Sequence, residues 1–262
     1  MIGMIRLLVL LVTALAIPVH AEEARAWSAP ELIATVKAAK PKGGLLVRVR
    51  MEQSKPDGKQ VILAQIKRRD TADGATEQLF QITFPKERKG EALLLRTKRG
   101  SPFTARTFKP GQGFQKLTAA DKRTPIFGTD MTLEDALAEF LDWSKHEAIG
   151  KEKVRSGQCM IIESTPPTAG TSPSKVKTWV DEKRFIAWRV QLFDGSDQPA
   201  RVVEAEEVIR LPSGYWCPRT FTVSTPARNT QTKIAGSSSS EQEFTDADFS
   251  DAAIEAAGTP AK

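Results

Sequence analysis

The sequence predicts a mainly β fold of the α+β class, an antiparallel sheet with one covered face and helices laid across it. Three observations carry this. Residues 176–218 read as three strands joined by tight turns, with Ile186, Trp188, Val190 and Leu192 alternating against Ala187, Arg189 and Gln191. That period of two marks a strand with one buried face. Leu133, Ala136, Leu137, Phe140 and Leu141 instead recur at helical spacing and form one apolar stripe in mid-chain. Before that stripe, the chain from residue 44 onwards is again a series of half-apolar strand patterns, as a sheet with one covered face requires.

The elements follow in order. Ser28-Ala29-Pro30-Glu31 has capping-box spacing, with proline tolerated in the first turn. Leu32, Ile33, Val36 and Ala39 then line one helix face, and Pro41-Lys42-Gly43-Gly44 ends it. Val47, Val49 and Met51 form the apolar side of a first strand. Pro56-Asp57-Gly58 turns into a second strand around residues 61–66, and Asp73-Gly74 precedes a third in which Phe80, Ile82 and Phe84 share a face. Leu93 and Leu95 mark a fourth. Thr132 and Asp135 cap the mid-chain helix, whose first-turn acids suit the positive end of the helix dipole. Residues 165–173, with three prolines, form a loop. Gly236 and the serine run 237–240 read as a flexible segment or an irregular strand edge.

The strands around 176–218 also carry a family likeness. A Trp179-Val180-Asp181 strand end, Arg189 on the following strand and a Gly214-Tyr215-Trp216-Cys217-Pro218 strand start resemble the outer-membrane lipoprotein-sorting family, the LolA-like periplasmic carriers. Gly128-Thr129-Asp130-Met131-Thr132-Leu133-Glu134-Asp135 is similar to the segment that opens that family's mid-chain helix. Met131 and Leu133 stand where the family usually carries aromatic residues, and Cys217 where it carries an aliphatic one. The resemblance implies a strongly curved antiparallel sheet, an incomplete β-barrel, with a helical lid over its open side and acyl chains held between. On that reading Met51, Phe80, Phe84, Leu137, Phe140, Trp188, Trp216 and Phe221 line the cavity. The same residues read without the resemblance fill an ordinary core. A slip of one residue in register would turn each strand face over.

The N-terminus addresses the chain for export. Arg6 precedes the apolar run Leu7 to Ile17, and Val19-His20-Ala21 offers a small-x-small cleavage site. Residues 1–21 are therefore expected to be a signal peptide cleaved after Ala21, with a periplasmic domain over 22–250 and a flexible tail over 251–262. An uncleaved anchor is the alternative, disfavoured by a run too short to span a bilayer comfortably. The remaining chain, about 240 residues, fits one domain. With 40% hydrophobic residues it can bury a sizeable core, which argues against wholesale disorder. The net charge of +6 suits a surface that meets anionic lipid without demanding one.

Catalytic constellations are thin. The chain has two histidines, and only His146 follows the signal segment, where it is expected at the end of the mid-chain helix. No partner serine is indicated, and one histidine with two distant cysteines gives no zinc spacing. Glu134-Asp135 and Asp181-Glu182 are better read as cap and turn than as acid and base. Basic clusters at Lys67-Arg68-Arg69 and at Lys86, Arg88 and Lys89 fall in expected turns without interleaved aromatics, so nucleic acid is not an expected partner. Cys159 and Cys217 allow one disulfide. In a simple meander three strands would separate them, too far for a bond, and only barrel closure or another strand order would join them. The expected function is thus a monomeric, cofactor-free, non-enzymatic carrier of lipid or lipid-modified protein, working towards the outer membrane with an envelope transporter or an outer-membrane acceptor. The alternative is a periplasmic accessory or scaffold subunit of an envelope transport system with a filled core.

Overall fold

A computed structural model describes residues 26–41, 43–56 and 58–258. The expected signal peptide and its cleavage point lie outside the described residues. Helix α1 (Ala29–Ala38) starts as its sequence dictates. The Ser28 Oγ accepts the Glu31 amide, and the Glu31 carboxylate accepts the Ser28 N–H at 3.0 Å. Leu32 and Ile33 are buried on its inner side.

Thirteen strands then build one antiparallel sheet. The first six are β1 (Gly44–Lys55), β2 (Gly58–Asp70), β3 (Ala75–Phe84), β4 (Ala92–Lys98), β5 (Thr104–Lys109) and β6 (Gly113–Leu117). The rest are β7 (Lys145–Val154), β8 (Gly157–Thr165), β9 (Lys175–Asp181), β10 (Ala187–Phe193), β11 (Arg201–Arg210), β12 (Trp216–Thr225) and β13 (Thr230–Gln242). Each set is a meander, and the last strand β13 lies beside the first, β1, so the two meanders join edge to edge. The outer strands β6 and β7 do not meet, and the barrel stays open.

One face runs unbroken across the sheet. Register partners lead from Ile162 through Thr178, Val190, Val203 and Val223 to Thr232. Partners in antiparallel strands point to the same side. Ile234, two residues beyond Thr232, pairs with Met51 and Met51 with Ile62. This inner face carries α1 at one end, where Leu32 and Ile33 pack on Met160, Ile162 and Val180. Its centre and far end lie under the segment 118–143, whose Ile126 and Leu133 pack on Phe80, Leu93 and Leu95.

The described structure corrects several expectations. The mid-chain helix α2 covers only Leu133–Leu137. Ala138 takes φ 46°, a left-handed conformation that ends it, and a 3-10 turn follows over Glu139–Asp142. His146 therefore lies in β7 and not at a helix end. The serine run 237–240 belongs to β13, inside the sheet; a bulge at Ser237, where Arg48 pairs with Ser238 and Val49 with Gly236, absorbs its irregularity. Residues 251–258, expected in a flexible tail, form α3 (Asp251–Gly258), and Ile254 is buried on the outer face among Leu79, Ala92, Phe108 and Phe249. Leu79 and Phe80 thus serve opposite faces, as neighbours in a strand must.

The junction of the meanders is narrow on one side. β13 pairs with β1 from Gln231 to Gln242, but with β12 only from Thr230 to Ala235. Beyond that point β12 and β13 part around a cleft of about 220 Å³ lined by Val47, Ile209, Cys217 and Pro218. The Ser213 N–H, donating to the Glu241 carboxylate at 3.0 Å, spans its far end.

Candidate functional site: a latched lid over the apolar face

The segment 118–143 lies as a lid on the sheet because Asp130 and the cap residue Asp135 tie it to four strands. In α2 the Asp135 carboxylate accepts from the Thr132 N–H at 2.7 Å and from its hydroxyl at 2.9 Å. That leaves the other side of the carboxylate for the Arg201 guanidinium at the start of β11, which engages both oxygens. The pair is largely removed from water, with side-chain exposures of 13% and 6%. Arg201 also donates to the Asp130 carbonyl at 2.6 Å. A planar guanidinium suits this fork, which a lysine could not reproduce.

Asp130 is the centre of the latch and only 5% exposed. Its Oδ1 accepts the hydroxyls of Thr225 and Thr230, and its Oδ2 accepts Thr232 Oγ1 at 2.8 Å and Gln53 Nε2 at 3.3 Å. The Asp130 N–H donates back to Thr232 Oγ1 at 2.9 Å. A buried carboxylate is tolerable only with such saturation. Lighter contacts hold the rim. Lys37 of α1 pairs with Asp142, and Arg88 donates to the Phe127 carbonyl at 3.1 Å, while Lys122 pairs with Glu139 within the lid itself. Burial pushes the Glu134 carboxyl above its ordinary range.

Two clefts open beside the lid. The larger, about 900 Å³, runs between α1, the turn after β4 and the lid, with Val36, Phe103, Leu137, Leu141 and Trp143 as its apolar lining. Lys37, Lys98, Arg99 and Asp142 also reach it. The smaller, about 440 Å³, lies between Phe140 and Trp143 of the lid, the proline loop at 166–173 and Leu192.

The residues expected to line a cavity divide between two faces. Met51 and Phe80 are buried on the inner face, and Phe221 packs half-buried beside Met51. Leu137 borders the larger cleft and Phe140 the smaller. Trp188 and Trp216 do not join them. They pack on the outer face with Cys159 and Trp179, because these alternate along their strands with the inner Met160 and Val180. Trp188 sits in a bulge between Ala187 and Arg189, its indole N–H donating to Asp181 at 3.1 Å. Burial works to raise the Asp181 carboxyl, and hydrogen bonds from Lys183, Arg184 and Trp188 outweigh it and hold it low. Phe84 faces outward and is 50% exposed. A bulge at Thr83 flips it, since Leu63 pairs with Phe84 while Ala64 pairs with Ile82.

Cys159 and Cys217 are free thiols on β8 and β12, with β9, β10 and β11 between them, so the possible disulfide is absent. Burial, with Asp181 adding to it, pushes the Cys159 thiol up to about 11, and burial raises Cys217 as well. His146 Nδ1 lies 2.8 Å from Ser164 Oγ, but Ser164 is fully buried and offers no surface to a substrate. Burial lowers the imidazole's affinity for a proton. Among the described residues no cluster of His, Cys, Asp or Glu could hold a metal ion, and no helix is long and apolar enough to cross a membrane.

The sequence reading caught Thr132 and Asp135 as a cap but missed Asp130 and Arg201 as a latch. The signal was the density of acids and threonines at 129–135, with an isolated arginine opening a strand.

A family model described only as an uncharacterized protein matches residues 74–256. The chain belongs to this family. No curated protein matches it in sequence. Solved structures share its fold. An outer membrane lipoprotein-sorting protein domain from Vibrio parahaemolyticus superposes with a TM-score of 0.79 at 15% identity, covering 87% of this chain and 98% of that one. A DUF1329 family protein from Desulfovibrio piger gives 0.79 at 18% identity, with 86% and 97% covered. A LolA superfamily protein from Nitrosomonas europaea gives 0.65 at 16% identity, with 86% and 98% covered. The likeness read from residues 128–135 and 177–218 holds at the level of fold: this is a LolA-like open sheet under a lid.

Proposed function

We propose that the protein is a periplasmic carrier of lipid or of lipid-modified protein, and not an enzyme. An acyl chain enters beside the lid, lies against the inner apolar face and is handed towards the outer membrane. The observation that carries the reading is the joint between lid and sheet. The lid presses apolar side chains onto an apolar face, yet it is fixed by a polar latch and bordered by a cleft of about 900 Å³. Such a joint can open without exposing broken backbone ladders. Each buried methylene contributes about 0.8 kcal/mol, so the apolar side of this mixed cleft, Val36, Phe103, Leu137, Leu141 and Trp143, is the part that would hold a chain, with Lys37, Lys98 and Arg99 at its polar side. A volume of this order suits a small-molecule site. Arg6, the apolar run that follows it and Ala21 support the periplasmic address. A membrane-bound donor and an outer-membrane acceptor are the partners such a carrier requires.

A second reading has its own support. Met51, Ile62, Ile82 and Ile234 already fill the centre beneath the lid, each with at most 1% exposure. A scaffold subunit of an envelope transport system would look the same at that point. Titration with a fluorescent fatty acid separates the two. A carrier binds it saturably, and Leu137→Asp, in the lining of the larger cleft, weakens binding about tenfold or more while the sheet's circular dichroism stays unchanged. A folded protein that binds no apolar probe refutes the carrier reading and favours the scaffold.

A further inference from the structure

Phe84 and Leu63 are the point of departure. They are cross-strand partners on the outer face, 50% and 38% exposed. Their exposure has a cause in the backbone. Without the bulge at Thr83, Phe84 would point inward with Phe80 and Ile82. A bulge that re-aims one side chain is a built feature of a sheet. The next residue across from Leu63 is Arg50 on β1. Helix α3 covers the same face further along, with Gly258 packed closely on Gly90.

Charge surrounds this pair with one dominant sign. Lys59 opens β2 on the same face as Leu63, and Lys86 and Lys89 stand in the turn that follows Phe84; all three are exposed. Glu52 is held by both Arg50 at 3.0 Å and Lys59 at 3.1 Å, so one carboxylate meets two cations. Those two cations hold the Glu52 carboxyl below its usual range. Glu87 and Glu91 are the other acids described in the turn after Phe84, and Glu91 is paired with Arg88 at 2.7 Å; Asp57 lies outside the described residues.

We propose that this corner is a docking surface for an anionic phospholipid bilayer. Phe84 and Leu63 enter the headgroup boundary, and Arg50, Lys59, Lys86 and Lys89 meet lipid phosphates. An aromatic and an aliphatic side chain inside a basic ring is the chemistry of peripheral membrane contact. An exposed apolar pair alone would be unremarkable surface, and basic residues alone would be solvated turn charge; their coincidence at one bulged strand end is what points to a bilayer. A protein groove would not need the excess of cations. The inference does not depend on the carrier reading, because it concerns the opposite face from the lid.

Vesicle co-sedimentation tests it. The purified protein is mixed with vesicles of phosphatidylethanolamine containing phosphatidylglycerol, and in parallel with vesicles of phosphatidylcholine alone. Binding is expected to the anionic vesicles and to fall when salt shortens the Debye length to about 3 Å. Lys59→Gln with Lys86→Gln should lower partitioning about 25-fold, as each base near an anionic surface is worth about fivefold. Leu63→Ser with Phe84→Ser should lower it about tenfold. All four sites are exposed, and an unchanged melting temperature verifies that the variants fold. No binding to anionic vesicles, equal binding to phosphatidylcholine, or binding that ignores both double variants overturns the proposal. Fatty-acid binding measured in the same variants separates this result from the carrier question: the docking variants should leave it unchanged.

Discussion

Replacing Asp130 should release the lid before it unfolds the sheet. In Asp130→Ala, four donors lose their acceptor: the hydroxyls of Thr225, Thr230 and Thr232 and the Gln53 amide. Thr225 and Thr230 are half-buried and can turn to water. Thr232 is fully buried and Gln53 is 5% exposed, so both remain dry. Gln53 Oε1 already lacks a protein partner, which leaves that amide with no hydrogen bond at all. An unpaired buried donor costs about 1–3 kcal/mol, so two of them put the total near 3 kcal/mol. For a chain of this size that corresponds to a drop in melting temperature of roughly 6–12 °C. Asp130→Asn keeps one acceptor oxygen and the packing, and should cost only about 1–2 kcal/mol. Urea unfolding gives the totals, and hydrogen exchange with peptide resolution locates them. Exchange over 131–143 should accelerate in Asp130→Ala by more than exchange in β1, β2 and β3. A loss below about 1 kcal/mol in Asp130→Ala, or uniform acceleration across lid and sheet, would refute the latch.

Two further outcomes follow from packing and titration. Gly157→Ala places a methyl 2.2 Å from Trp188 Nε1 and 2.7 Å from Asp181 Oδ2, both fixed by burial; it should destabilise by about 1–3 kcal/mol, and an unchanged melting temperature would show that Trp188 is free to move. Cys159 moves from its ordinary value of 9.0 up to about 11 in the folded state, so between those values only the unfolded chain releases the proton and the thiol's contribution, of order 2–3 kcal/mol, is lost as pH rises through that window. Cys159→Ala should flatten the alkaline limb of a stability profile, leaving a residual slope from Tyr215 and Cys217, which burial shifts the same way.

The parts of the fold visible in the sequence are those fixed by local physics. Ser28 and Glu31 cap α1 with groups three residues apart, and the alternation in β9, β10 and β11 needs no distant partner to be read. The errors fall where a distant contact decides. Nothing local in Ala136-Leu137-Ala138-Glu139 stops a helix; α2 ends because Leu141 packs on the α1 cluster while Phe140 turns towards the proline loop. The serine run looks like a linker by composition, yet β1 supplies a ladder that composition does not reveal. Counting in twos places Phe84 and Trp188 on the inner face, and a single bulge defeats such a count. The latch was half legible. Thr132 and Asp135 announce a cap through their spacing, whereas Asp130 and Arg201 are 71 residues apart and meet only after the sheet has formed.

The ladder between β12 and β13 gives the molecule a seam. Two broad wings, β1 to β6 with β13 and β7 to β12, are stitched together by the pairing of residues 220–225 with 230–235. That ladder has six residue pairs, more than the four between β10 and β11, so what marks the seam is the cleft that opens beyond it. Asp130 sits at this seam. It grips Thr225 from one wing and Thr230, Thr232 and Gln53 from the other, and Arg201 draws its carbonyl towards the first. Lifting the lid therefore also unclasps the wings. The width of the trough is thereby tied to the position of its cover, because one buried carboxylate holds both.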